Sequence, residues 1–284
     1  MKKLILFKMF LEKSENERLL KYLTESEISK LKSIPPFSKK LEIKKNFPDS
    51  LIDAIHYSWF IPFLNSYTNE ESSLFLSAMK ISNRKPLQDI LGISELNDEI
   101  NPNLKSFLKH QLISSLIRKE DTLLPIECLF ESKMNILLTL TKKQLIKLID
   151  YLSLYDLVKE MKYILDKDKL KKIYSYLSKD EKKFANSLLN YVEPFATQRM
   201  IIDKFFENKK KFRNFLHIRG LMRLAYALSG ESLDLIWYVC HYLDIGRGNF
   251  LFKECKKEKV MMVSEVIRSE ILKIIQLIKE KEIL

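Results

Sequence analysis

Glycine is scarce in this chain, with 5 in 284 residues, and that scarcity removes several chemistries at once. The one Gly-x-Gly, Gly246-Arg247-Gly248, has no third glycine and no strand-like run before it. Neither a dinucleotide fingerprint nor a phosphate-cradling P-loop is therefore present. Cysteine is also sparse: Cys128, Cys240 and Cys255 form an odd set without a Cys-x-x-Cys. Such a set points to buried thiols in a reducing compartment, not to a disulfide framework. No window approaches eighteen uninterrupted apolar residues, so no transmembrane helix is expected. The opening "MKKLILFKMFLEKSE" starts like a signal peptide, but Lys8 interrupts its apolar run and no small-residue cleavage site follows. A first helix is expected there instead. Asn-Gly and Asp-Gly turns do not occur and β-branched runs of period two are few, so sheet signals are weak.

Helical signals, in contrast, recur. Leu145, Leu148, Ile149 and Leu152 share the three-and-four spacing of one buried face. Leu154, Leu157, Val158, Met161 and Leu165 continue that pattern after an expected short break at Ser153. Four sites have capping-box form: Thr24 with Glu27, Thr68 with Glu71, Thr141 with Gln144, and Ser178 with Glu181. In each, the hydroxyl can accept from an orphan amide at N3 while the acid or amide side chain returns to the N-cap. Three of the four sit in a hydrophobic-Leu-Thr/Ser-x-x-Glu/Gln context, at uneven separations that exclude a strict repeat period. The expected fold is all-α: stacked short helices in an armadillo/HEAT-like right-handed arrangement, in two to three helical subdomains.

Proline and glycine divide the chain. All 8 prolines lie at or before Pro194, whereas Gly220, Gly230, Gly246 and Gly248 cluster after it. Pro35-Pro36 is expected to end an N-terminal helical hairpin, and Pro86, Pro102 and Pro125 to bound short middle helices. The expected organisation is an N-terminal helical region over 1–60, a middle helical region over 61–193, and a C-terminal helical domain over 194–284.

Nothing in the pattern points to an enzyme, and no catalytic, cofactor or metal residues are expected. Cys240-His241 with Cys255 is the nearest approach to a metal cluster, but adjacent helical residues point about 100° apart and rarely share an ion. His56, His110 and His217 stand without a neighbouring cysteine or paired acid in the sequence. Asp166, Asp168, Asp180 and Glu181 are interleaved with lysines, as at a solvated helix junction. The net charge of +12 would suit an acidic partner. The basic stretches 207–215 and 252–259 could meet phosphates, with Phe206, Phe212 and Phe215 available for stacking. Phe205, Phe212, Phe215 and Leu216 equally fit one core-facing helix side, and nucleic acid is not the expected partner.

From "ALSG" onward the chain resembles the C-terminal domain of the flagellar motor switch protein FliG. Ala227, Leu228 and Gly230 match that family's opening Ala-Leu-Lys-Gly, and Gly230 would end a helix in a left-handed cap. Leu235, Leu243, Phe250 and Leu251 fall where the family keeps core residues, and Val263, Ser264 and Val266 match its step into a last helix. "NERLLKYLTESEISKL", residues 16–31, is similar to the family's N-terminal segment, which packs on the tail of a membrane ring protein.

The resemblance implies a bacterial, cytoplasmic, non-enzymatic scaffold, peripheral to the inner membrane through its partners at a flagellar or type III secretion basal body. Those partners would be a ring protein and a switch or sorting-platform protein, with homo-oligomerisation possible. Leu20, Tyr22 and Leu31 would meet the first, and exposed members of Trp237, Tyr238 and Tyr242 the second. The family's torque charges are largely missing: Ser229, Gly246 and Met262 are uncharged, and Lys253 reverses an acid while Glu254 keeps one. The Glu-His-Pro-Gln docking motif is also missing, so torque generation is not expected. The second expectation is a HEAT-like helical module that binds nucleic acid or other proteins.

Overall fold

The structure is a computed structural model that describes residues 2–14, 17–34, 49–94, 96, 100–117, 122–194, 202, 208–257 and 261–282. It is all-α, short helices stacked on one another with no strand among the described residues. In chain order the helices are α1 (Lys2–Ser14), α2 (Glu25–Ser33), α3 (Asp49–Ala54), α4 (Ile61–Leu64), α5 (Asn69–Ser77), α6 (Ile81–Leu91) and α7 (Pro102–Leu116). They continue as α8 (Lys142–Met161), α9 (Lys167–Tyr176), α10 (Lys179–Ser187), α11 (Lys209–Ala227), α12 (Leu233–Tyr242), α13 (Ile245–Cys255) and α14 (Met261–Glu282). Short 3₁₀ turns, among them Glu17–Tyr22 and Tyr57–Phe60, join some of them. No helix among the described residues is long and apolar enough to cross a membrane.

All four capping boxes form, and they start α2, α5, α8 and α10. At α8 the Gln144 amide donates to the Thr141 hydroxyl at 3.2 Å while the Thr141 amide donates to Gln144 Oε1 at 2.7 Å. Two of the four orphan amides of the helix start are thereby satisfied. Helix α8 runs through Ser153 without the expected break. The buried Ser153 hydroxyl donates back to the Asp150 carbonyl at 2.6 Å, so its polar group is satisfied inside the helix. Leu165, expected on the buried face, lies beyond the end of α8 and is 96% exposed.

Proline acts in three ways. Pro102 opens α7 behind its cap Asn101, Pro125 precedes the 3₁₀ turn Ile126–Cys128, and Pro62 sits in the first turn of α4. Pro86 does not bound a helix as expected but lies inside α6. The expected stop at Pro35-Pro36 lies outside the described residues; α2 ends at Ser33. Gly230 follows the end of α11 at φ 82°, the left-handed conformation expected of it. Gly220 matters for a different reason. A Cβ there would overlap the backbone carbonyl of Ile149, so the glycine lets α11 approach α8 closely.

The chain forms two compact units, both discontinuous in sequence: Met1–Asn135 with Ser232–Gly248, and Ile136–Glu231 with Asn249–Leu284. The expected contiguous C-terminal domain over 194–284 is therefore split, because 232–248 packs with the N-terminal half of the chain. In the first unit α5 lies against α6 and α7, and α7 against α3, around Phe60, Leu64, Leu76, Leu87 and Leu112. In the second unit α8 is the axis, with α10, α11 and α14 packed on it. Residues 151–158 are buried on every face, the mark of a central helix rather than an amphipathic surface one.

Candidate interaction site

The N-terminal candidates sit on the α1–α2 hairpin, where α1 packs on α2. Lys8 Nζ donates to the Ile34 carbonyl at the end of α2, 2.5 Å away, and closes the hairpin with a cation at a helix C-terminus. The 3₁₀ turn Glu17–Tyr22 leads into the Thr24 capping box, whose acid Glu27 is held below the usual carboxylate range by the Thr24 backbone amide and hydroxyl. On this base Tyr22 is 86% exposed and Leu20 half-buried, whereas Leu31 is buried. Tyr22 and Leu20 are available to a partner as they stand. Leu31 belongs to the protein's own core.

The α12 candidates are mostly interior. Tyr238 is fully buried and its hydroxyl donates to the Leu124 carbonyl at 2.7 Å. Burial pushes its phenol well above the usual range and pushes that of Tyr242, also buried, up to about 12. Trp237 is half-buried, with its indole stacked on His241 at 3.8 Å between ring centroids. Trp59 stacks on His241 at 4.1 Å, making a Trp-His-Trp layer. The same segments are tied by the Trp59 indole N–H donating to the Leu243 carbonyl at 2.8 Å and the His56 amide to the His241 carbonyl at 2.8 Å. Gly248 has no room for a Cβ between the Cys240 carbonyl and the Trp59 ring. At the start of α12, Asp234 accepts from Lys2 Nζ at 3.0 Å and from the Leu124 amide at 3.2 Å. Of the three candidates on α12, only Trp237 retains an accessible edge.

Sequence reasoning missed the densest polar constellation, which lies in the second unit. Arg223 on α11 is buried and bonds Asp156 of α8 and Glu270 of α14, with Glu193 at 2.8 Å. Arg219 bonds Asp156 at 3.0 Å, Lys159 bonds Glu193 at 3.0 Å, and the Tyr191 hydroxyl donates to Glu270 at 2.9 Å. The Tyr155 ring lies under the guanidinium, 5.1 Å from its centroid. Three cations thus face three carboxylates. Burial works against the Arg223 charge, but Asp156, Glu270 and Glu193 outweigh it and hold the guanidinium charged. Burial also raises the Glu270 carboxyl, against the pull of Arg223 and Tyr191. The partners lie 30 to 67 residues from Arg223, which is why no local motif shows them. The available signal is a charged residue at a core phase: Asp156 among Leu154, Leu157 and Val158, and Arg223 between Leu221 and Leu224.

Further pairs correct the sequence reading. His217, expected without an acid, has Nδ1 2.7 Å from Asp150 Oδ1. Arg213, expected in a basic surface, bonds buried Glu181 at 2.7 Å. Phe212 and Leu216 are core, whereas Lys209, Lys210 and Lys211 are exposed; Phe205 and Phe206 lie outside the described residues. Among the described residues no group of three or more His, Cys, Asp or Glu is placed to hold a metal. No family model, curated protein or solved structure matches the chain.

Proposed function

We propose that this protein is a helical adaptor that binds partners through fixed helix surfaces. The setting proposed for it is the cytoplasmic face of a flagellar or type III secretion basal body, where it would bridge a ring protein and a switch or sorting-platform protein. The observation that carries the reading is Tyr22. It is a large aromatic left almost fully exposed at the end of the 3₁₀ turn that leads into the Thr24 capping box of α2, which packs on α1. An aromatic side chain on a rigid base loses little conformational entropy on docking, and such residues are frequent interface anchors. The resemblance of residues 16–31 to a segment that packs on a ring-protein tail agrees with this placement.

Torque generation is outside the proposed role. Gly246, Met262 and Lys253 are exposed and Ser229 half-exposed, so these positions present one cation and no acid. A contact that works through complementary charges needs its sign pattern. The role is static, recruiting or ordering components.

The test is co-purification of a basal-body ring protein with the Tyr22→Glu variant, alongside circular dichroism. Tyr22→Glu should stay folded and lose the partner at least about tenfold, because an exposed side chain carries no core energy. A folded variant that retains full binding overturns the docking assignment. In a motile host lacking FliG, the protein should not restore swimming; restored swimming refutes the static role.

A further inference from the structure

The net charge of this protein is distributed by the fold in a way its scattered lysines conceal. The second unit holds 28 Lys and Arg against 17 Asp and Glu, a net of +11, and the first holds 21 against 20, a net of +1; together they make the +12 of the chain. Within the second unit some of the carboxylates lie inside, while Asp166, Asp168, Glu265 and Glu280 are exposed. Asp156, Glu160, Glu181, Glu254 and Glu270 are buried, and Glu193 is engaged by Arg223 and Lys159. Among the described residues of this unit Arg223 is the one buried cation, and no lysine is buried. The outer surface is consequently more cationic than composition suggests.

Two loops of this unit also carry apolar side chains that the fold leaves in solvent. The loop after α8 presents Tyr163, 63% exposed, and Leu165 at 96%; the segment after α10 presents Leu189 and, at 82%, Val192. The loops lie side by side. Lys162 Nζ donates to the Tyr191 carbonyl at 3.1 Å, Lys159 holds Glu193, and the Tyr155 and Tyr191 rings meet at 5.3 Å. Beside them, α9 and α10 turn their apolar residues, Ile173, Leu177, Ala185 and Leu188, inward and leave Lys167, Lys171, Lys172, Lys179 and Lys183 exposed. Over 162–193 eight lysines stand against five acids, Asp166, Asp168, Asp180, Glu181 and Glu193, a net of +3. Asp166 caps α9, Asp168 pairs with Lys171, and Glu181 is buried on Arg213.

We infer that the paired loops 162–166 and 189–193, with the lysines of α9 and α10, form a docking surface for an anionic lipid bilayer. The apolar tips would enter the headgroup region and the lysines would lie at the level of the lipid phosphates and carboxylates. A bilayer interface rewards both features together, since it accepts projecting apolar side chains beside cations. A nucleic acid would neutralise the lysines but gives Leu165 and Val192 no partner, because aliphatic side chains do not stack on bases as aromatics do. The inference goes beyond the adaptor reading and is independent of it, because lipid alone is the ligand.

The experiment is flotation of the full-length protein with vesicles of phosphatidylcholine, and of phosphatidylcholine with phosphatidylserine. Binding should require phosphatidylserine and weaken as salt is raised. Each lysine removed should lower partitioning about fivefold, so Lys171→Gln with Lys172→Gln should lower it about 25-fold. Leu165→Asn should also lower it at least about fivefold with the dichroism spectrum unchanged, since Leu165 supports nothing in the core. No binding to phosphatidylserine vesicles at low salt overturns the inference. So does binding indifferent to Leu165→Asn, which would make the contact purely electrostatic. So does tighter binding to an RNA or DNA oligonucleotide that competes vesicles away and ignores that substitution.

Discussion

His241 shows how burial becomes a pH dependence at a single residue. It is held between the Trp59 and Trp237 rings with Nδ1 2.7 Å from the Trp237 carbonyl, and burial pushes its pKa from 6.5 down to about 4. The folded protein keeps the ring neutral while the unfolded chain protonates it near pH 6.5. As pH falls from 6.5 toward 4 the unfolded state therefore binds a proton that the folded state does not. Stability should drop by about 1.4 kcal/mol per pH unit, about 3 kcal/mol over the window, and not further below it. The two indole faces attract an imidazolium and take part of that loss away. His241→Phe keeps a stacked ring without the titration, so its stability should fall less between pH 7 and pH 4 in urea unfolding. An identical decline for both proteins would show that His241 is not the titrating group. Gly220 and Gly246 make a second residue-scale pair. Gly220→Ala drives a Cβ into the Ile149 backbone and should lose at least about 2 kcal/mol. Gly246→Ala meets only Asp244 Oδ1 at 3.3 Å, within a helix that favours alanine, and should be neutral or slightly stabilising by thermal unfolding.

Helix ends are the features of this protein that local sequence specifies best. A capping box needs four consecutive residues and nothing else, so Thr24, Thr68, Thr141 and Ser178 can be read without any knowledge of the tertiary structure. Thr141→Ala should cost about 1 kcal/mol in unfolding free energy, the usual effect of losing a cap. Glu181→Ala should cost clearly more than Thr141→Ala, because Glu181 both bonds the Ser178 amide at 2.7 Å and receives Arg213. Equal losses would mean the ion pair adds nothing. The C-terminal end of α11 was not legible in the same way. Arg268 of α14 donates to the Ala227 and Ser229 carbonyls at 2.8 and 2.7 Å, a cap supplied from a distant part of the chain. Ser153 is similar: its hydroxyl suggests a break, and only the closed bond to Asp150 shows why α8 continues.

On the scale of the whole chain, the buried ionic cluster is the element with the largest predicted effect. Arg223→Met would take away the guanidinium that Asp156, Glu193 and Glu270 share in a buried site. Removing one partner of a buried network typically costs about 3–5 kcal/mol. The loss should be greatest near neutral pH and shrink in acid as Glu270, whose carboxyl burial already raises, takes up a proton, which denaturant titrations at two pH values would measure. A loss under about 1 kcal/mol at neutral pH would show that the cluster is not fixing α8, α11 and α14 together. Tyr151 offers the opposite case. Its hydroxyl is buried with no hydrogen-bond partner among the described residues, and Tyr151→Phe should be neutral or stabilising by about 1 kcal/mol.

The all-α class, the four capping-box helix starts and the left-handed Gly230 were determined by the sequence alone, because each depends on contacts within one turn or on the spacing of apolar residues along one helix. Leu145, Leu148, Ile149 and Leu152 are fully buried as their spacing required. Which surfaces remain for a partner was settled only by packing. Tyr22 and Leu31 look alike in the sequence, and Trp237, Tyr238 and Tyr242 lie close together on one helix, yet one member of the first pair and two of the second set are interior. The division into two discontinuous units, the placement of 232–248 with the N-terminal half, and the gathering of Asp156, Glu193, Arg223 and Glu270 are equally silent in the sequence. The physical reason is the same in each case. A helix carries the information that it has an apolar face, but not which other helix will cover that face.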